Sequence, residues 1–182
     1  DAPVASGSAT LAAINEDTAS PAGATVSSLF SGNFSDATDQ VTGGSSANTF
    51  AGIAISSYTV DATKGNWQYS TDTGSTWTTL GSATTTAAIT LDSAASTMLR
   101  FVPAANYNGS ATALSANLIE SGQSITNGAT VNLTGATGGS THYSSATVAL
   151  SETINAVNDA PVLADTALTL TVAEDAGAPS GA

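Results

Sequence analysis

Residues 66–80 read Asn-Trp-Gln-Tyr-Ser-Thr-Asp-Thr-Gly-Ser-Thr-Trp-Thr-Thr-Leu. Trp67, Tyr69 and Thr71 alternate along one arm, and Trp77 and Thr79 along the other. Between them Asp72-Thr73-Gly74-Ser75 supplies turn chemistry. Period-two alternation on both sides of an Asp/Gly turn predicts a β-hairpin.

Working outward, the same grammar recurs. Residues 51–60 carry Ile53 and Ile55 in alternation, and residues 111–119 place Leu114, Ala116 and Leu118 on one face. Segments 88–91, 98–102, 130–133 and 147–154 read as further strands, with Pro103 ending the second of these. Residues 4–14 read as one opening strand. Val26, Leu29, Phe30 and Phe34 have the spacing of a short helical turn. Short strands with Gly and Asn between them predict an all-β, antiparallel β-sandwich with long loops.

Composition agrees. Aromatics are only 5%, so the core must come mainly from Val, Ile, Leu and Ala. Asp plus Glu number 14 against two basic residues, Lys64 and Arg100, for a net charge of -12. Nucleic-acid binding is excluded, because nothing is available to neutralise phosphates. No apolar run is long enough to span a bilayer. With two cations, at most two acids find a side-chain partner, and the rest face water or hold metal. Paired hard oxygen ligands suit Ca²⁺; the alternative is an acidic surface that confers solubility.

The two ends repeat. Asp1-Ala2-Pro3-Val4 recurs as Asp159-Ala160-Pro161-Val162, an offset of 158. At that offset Glu16-Asp17 recurs as Glu174-Asp175, Pro21 as Pro179, and Gly23-Ala24 as Gly181-Ala182. Residues 1–158 are therefore expected to form one unit of a tandem array, and 159–182 the linker and first strand of the next.

The junction Asn155-Ala156-Val157-Asn158-Asp159-Ala160-Pro161-Val162 resembles that of tandem cadherin-like repeats in giant bacterial surface proteins. Arg100-Phe101-Val102-Pro103-Ala104-Ala105-Asn106-Tyr107-Asn108-Gly109 is similar to the phrase preceding their final strands, and Asn15-Glu16-Asp17 to their acidic opening. The unit is longer than such repeats, with extra material at 123–145 and a long segment at 32–44. In this it resembles the calcium-dependent peptide-binding domain of large RTX-type adhesins. That resemblance implies a cadherin- or immunoglobulin-like sandwich at the bacterial cell surface. It also implies bound Ca²⁺, with one ion receiving the terminal carboxylate of a peptide ligand.

Glu16, Asp17, Asn158 and Asp159 are candidate metal ligands, since a stiffened joint needs oxygens converging from distant segments. The alternative for Asn158-Asp159 is a turn cap before Pro161. Asp36 and Asp39, three apart in a polar loop, are candidates for metal and ligand binding, or else a cap or solvated turn. His142 and Tyr143 in the extra segment are ligand-contact candidates, or simply exposed. Asp72 belongs to its turn. Trp67 and Trp77 are core or cross-strand packing, with sugar stacking as the alternative.

One His, no Cys and no Gly-x-Ser-x-Gly leave no support for an enzyme. The expected function is a monomeric, calcium-dependent module that binds a peptide or protein on a target surface, mediating attachment and biofilm formation. The alternatives are a structural extender repeat, stiffened by calcium against its neighbouring repeats, and a carbohydrate-binding module.

Overall fold

Trp67 and Phe101 meet edge-to-face, ring centroids 5.3 Å apart, with both side chains fully buried. This pair sits at the centre of the fold in the computed structural model, which describes residues 1–161 together with Glu174 and Gly177. The hairpin read from residues 66–80 thus contributes Trp67 and Leu80 to the core, while its turn and Thr78–Thr79 face outward. The matched positions of the second repeat copy beyond Pro161, Glu174 excepted, lie outside the described residues.

In chain order the strands begin with β1 (Val4–Ala5), β2 (Ser8–Thr10), β3 (Ile14–Asn15) and β4 (Ala24–Thr25). A five-residue helix, α1 (Val26–Phe30), and β5 (Phe34–Ser35) follow. Then come β6 (Phe50–Ser57), β7 (Gly65–Ser70), β8 (Thr78–Thr79), β9 (Ala88–Asp92) and β10 (Met98–Pro103). The last are β11 (Gly109–Ser110), β12 (Leu114–Glu120), β13 (Thr130–Val131), β14 (Tyr143–Ser151) and β15 (Thr153–Asn155). A six-stranded sheet in the order β13-β9-β6-β12-β14-β2 faces a four-stranded sheet in the order β4-β10-β7-β8. Smaller pairings join β11-β15-β3 and β1-β5. The protein is an all-β sandwich.

Two expectations change in detail. Residues 4–14 form three short strands, because Gly7 takes a φ of 75° and turns the chain out of one ladder. The sandwich is also not wholly antiparallel: β2 runs parallel to β14, and β3 parallel to β15. Parallel neighbours need a long crossover, and here nearly the whole domain is the connection between them.

The helical turn appears where the spacing placed it. Thr25 caps it, its hydroxyl accepting from Ser28 N at 3.1 Å, and it buries Val26 and Phe30. These pack with Ile53, Ile55, Leu91, Leu114 and Leu118 from the six-stranded sheet and Trp67, Leu99 and Phe101 from the four-stranded one.

A second, smaller core lies on the outer face of the six-stranded sheet. It contains Ala54, Ala88, Ile119, Leu133 and Tyr143, with Ile125 and Val131 packed against it. The extra segment read at 123–145 therefore covers the sheet. This is why Ile53, Ala54, Ile55 and Ser56 of β6 are all buried in succession. Among the described residues no helix is long and apolar enough to cross a membrane.

At the start of β7, Gly65 has a φ of 136°, and a Cβ there would lie 2.2 Å from the Val102 carbonyl oxygen across the ladder. Gly65→Ala is expected to cost more than about 3 kcal/mol, from left-handed backbone strain plus a backbone clash. A urea denaturation midpoint within experimental error of the parent would contradict this account of the β7–β10 pairing.

Candidate functional site

Three acids, Asp61, Asp72 and Asp92, are absorbed by turn and bracing hydrogen bonds. Asp61 accepts from the amide and hydroxyl of Thr63, which lower its pKa, the hydroxyl contributing most. Asp72 accepts from the amide and hydroxyl of Thr76 and from the Ser70 hydroxyl, and these hold its carboxyl down at about 2. That is the turn role read from its position. Asp92 accepts from Asn127 Nδ2 at 3.0 Å and from the Thr97 hydroxyl, bracing β9 against the covering segment.

Glu16 and Asp17 lie at the end of the sandwich where residues 156–159 leave β15, the end expected from the sequence to be a junction. Glu16 is buried. Its Oε1 accepts from Val157 N at 2.5 Å, and its Oε2 from Asn108 Nδ2 at 3.1 Å. Asp17, at a φ of 62°, accepts from Asn106 N at 2.9 Å. The acidic opening, the Asn-Tyr-Asn-Gly phrase and the outgoing linker thus converge. Asn158 and Asp159 are exposed, and Asn158 Nδ2 donates to the Asp159 carbonyl at 3.2 Å. Among the described residues no hydrogen bond joins either of them to Glu16 or Asp17.

The other end of the sandwich is chemically different. Asp36 and Glu120 are 4% and 3% exposed, and each keeps one carboxylate oxygen without a hydrogen-bond partner, Asp36 Oδ1 and Glu120 Oε2. A buried, unpartnered carboxylate oxygen is costly and calls for a cation or a donor. Asp36 precedes a 3-10 turn, Ala37–Asp39, that its side chain does not cap, so the cap reading fails there. Instead Asp36 Oδ2 accepts from Asn48 N. Asn48 leads into β6, and its Oδ1 accepts from the Ser121 hydroxyl at 3.3 Å, just beyond Glu120 at the end of β12. Asp36, Asn48 and the end of β12 are thereby linked in one hydrogen-bonded chain.

Asp39 stands at the rim and binds the Asp1 ammonium at 2.6 Å. That hydrogen bond, and then the charges of Asp39, Asp36 and Glu120, raise the ammonium's pKa, while partial burial opposes them. The ammonium contacts Asp39 alone; Asp36 and Glu120 act on it only through longer-range charge. His142 Nδ1 lies 2.8 Å from Glu120 Oε1, and the ring is partly exposed. Tyr143 points the other way. It belongs to the second core, and burial pushes its hydroxyl pKa up, so packing explains it. Trp67 is likewise a core residue, fully buried, with Nε1 donating to the Thr112 carbonyl at 2.8 Å. That removes it from any sugar-stacking platform.

Asp36 and Asp39 were legible as a pair. Neither Asn48 nor Glu120, the last residue of β12, was singled out as a site residue by the sequence. Their role depends on the pairing of β6 with β12, which sets Phe50 opposite Glu120. Among the described residues no three His, Cys, Asp or Glu side chains form a ready-made metal cluster. An ion at this end would complete its shell from amide and backbone oxygens and water, as Ca²⁺ commonly does.

The fold defines the class of protein here: a β-sandwich with an elaborated, carboxylate-bearing end. No family model, curated protein or solved structure matches the chain.

Glu152, between β14 and β15, is a separate buried acid. It is 2% exposed, its Oε2 has no partner, and burial raises its pKa to about 7 against the Phe101 amide, which lowers it. The folded state holds this proton more tightly than the unfolded chain. The contribution to stability is therefore full below pH ~4.5 and is lost as pH rises through about 7. The loss is on the order of 3 kcal/mol at ~1.4 kcal/mol per pH unit. Glu152→Gln is expected to match the parent at pH 4.5 and exceed its stability at pH 8. Parallel pH–stability curves for the two proteins would refute this.

Proposed function

We propose that this chain is a calcium-dependent peptide- or protein-binding module of a large bacterial surface adhesin. The single observation that carries the reading is the pair of buried, unpartnered carboxylate oxygens on Asp36 and Glu120, beside Asp39 and Asn48. In an array, where residue 1 follows another residue, the Asp1 nitrogen is an uncharged amide. The unpartnered oxygens of Asp36 and Glu120 are then open to a different cation, with Asp39 beside them.

Asp36, Glu120, Asp39 and Asn48 are the residues that would hold Ca²⁺ at this end. When bound, the ion supplies charge neutralisation and an oxygen-accepting position suited to a ligand carboxylate. The protein's part is positional. β6 and β12 set Asn48 and Glu120 side by side, the 36–39 turn brings its two acids over them, and His142 orients Glu120 from the covering segment. Side chains on loops held by a rigid sandwich are well placed for binding.

A second reading, the extender repeat, is favoured by Glu16 gripping the linker at Val157. Calcium at that joint would draw on Glu16, Asp17 and the neighbouring linker oxygens, and would set the angle between successive units. The two readings are compatible within one array.

Thermal unfolding in calcium and in EGTA tests the ion. At calcium one hundredfold above Kd, linkage contributes ~2.7 kcal/mol, about 5–10 °C in Tm for a chain of this size. Asp36→Asn with Glu120→Gln should abolish most of that difference and should itself raise the Tm in EGTA, by removing buried charge. Calorimetry with peptides bearing free or amidated C-termini tests the ligand: binding is expected only for free carboxylates and only with calcium. An identical Tm in calcium and EGTA would end the proposal.

A further inference from the structure

Residues 73–75 of the hairpin turn, the segment at 20–22, Trp77, Met98 and Arg100 line an open groove of about 560 Å³. It shares no residue with the Asp36–Glu120 end. Arg100 lies across it, its guanidinium carbon 4.1 Å from the centre of the Trp77 ring. Nε donates to Gln68 Oε1 at 2.9 Å, and Nη1 donates to the Pro21 carbonyl at 3.2 Å. A guanidinium has five N–H donors, so three remain uncommitted among the described residues.

The charge around Arg100 is the notable feature. The chain has 14 acids and two basic side chains, yet among the described residues no carboxylate lies within 4.0 Å of this guanidinium. Burial lowers its pKa and no neighbouring carboxylate raises it. Asp72, the acid on the lining turn, is occupied by Thr76 and Ser70. Stacking on Trp77 and the two hydrogen bonds fix the guanidinium plane, so its free edge is pre-organised for a planar anion.

We propose that this groove binds a sugar acid: one carboxylate, held by the free edge of Arg100, on a neutral hydroxylated ring. The hydroxyl oxygens of Ser20, Thr73 and Ser75 are available to accept from the ring hydroxyls, and Met98 and Pro21 supply apolar contact. A single charge is specified because a net charge of -12 repels polyanions, whereas a fully seated carboxylate contacts Arg100 directly. Three hydroxyl side chains, Ser20, Thr73 and Ser75, stand beside Arg100 in this lining, a combination that suits a hydroxylated ring bearing a carboxylate. Trp77 serves by holding Arg100, since the guanidinium covers a face of its ring.

The test is a nuclear magnetic resonance titration of the ¹⁵N-labelled protein, read at the Trp77 indole N–H and the Arg100 Nε–H. The probes are methyl glucuronide, methyl glucoside (the same ring without the carboxylate) and an acetylated dipeptide with a free C-terminus. Methyl glucuronide alone should shift both signals saturably, with a millimolar Kd that is the same in calcium and in EGTA. Arg100→Lys, which keeps the charge but loses the fork, should weaken binding about tenfold; Arg100→Gln should abolish it. The comparison of glucuronide with glucoside needs no variant, so it stands even if either substitution unfolds the protein. Absence of a saturable shift, an equal response to glucoside or dipeptide, loss of binding in EGTA, or unchanged affinity in Arg100→Lys would each overturn the proposal.

Discussion

From Gly52 to Ser56, strand β6 has no solvent face. Ile53 and Ile55 point into the sandwich, and Ala54 points into the second core on the outside of the same sheet. A sheet exposed on one side tolerates polar residues there, but one that carries Ala54, Ala88 and Ile119 outward must be covered. The segment between β12 and β14 does this, and Leu133, Ile125 and Val131 anchor it. Its geometry then follows: to cross the sheet and return as β14, the chain must pass the ends of β6 and β12. His142 and Glu120 meet there, and Asp36 and Asn48 arrive from the opposite side.

The two ends of the sandwich handle acid in contrasting ways. At the junction end Glu16 and Asp17 are satisfied by donors from the Asn106–Asn108 corner and the linker. At the other end Asp36 and Glu120 are more deeply enclosed than satisfied. The first arrangement holds a fold together without help. The second carries unmet electrostatic demand, and sites of binding characteristically concentrate such demand. Neither pattern follows from the number of acids, which is why net charge alone says little about where an ion would sit.

Basic residues show the converse. In a chain so short of cations, Arg100 has no carboxylate within ion-pair distance among the described residues and is stacked on Trp77. The hairpin that revealed the fold thus has two functions in the molecule. Its Trp67 arm builds the core, and its turn and Trp77 build the wall of an open groove.

The all-β class, the hairpin, the helical turn and most strands were legible in residue order, because alternation and turn chemistry are local properties of the chain. The tandem offset of 158 was legible for the same reason: it needs only letters. The parallel pairing of β2 with β14 was not, since no local signal tells an opening strand which distant neighbour it will join. Nor was the second core, since the apolar residues of 123–145 are too sparse to announce a covering layer. Among the candidate sites, Asp36 and Asp39 were visible as a pair, while Asn48 and Glu120 became part of their site only through β6–β12 registration. Sequence determined which elements form and how many acids are present. Tertiary structure decided which acids are satisfied, because burial and hydrogen-bond partners depend on contacts between segments that residue order leaves far apart.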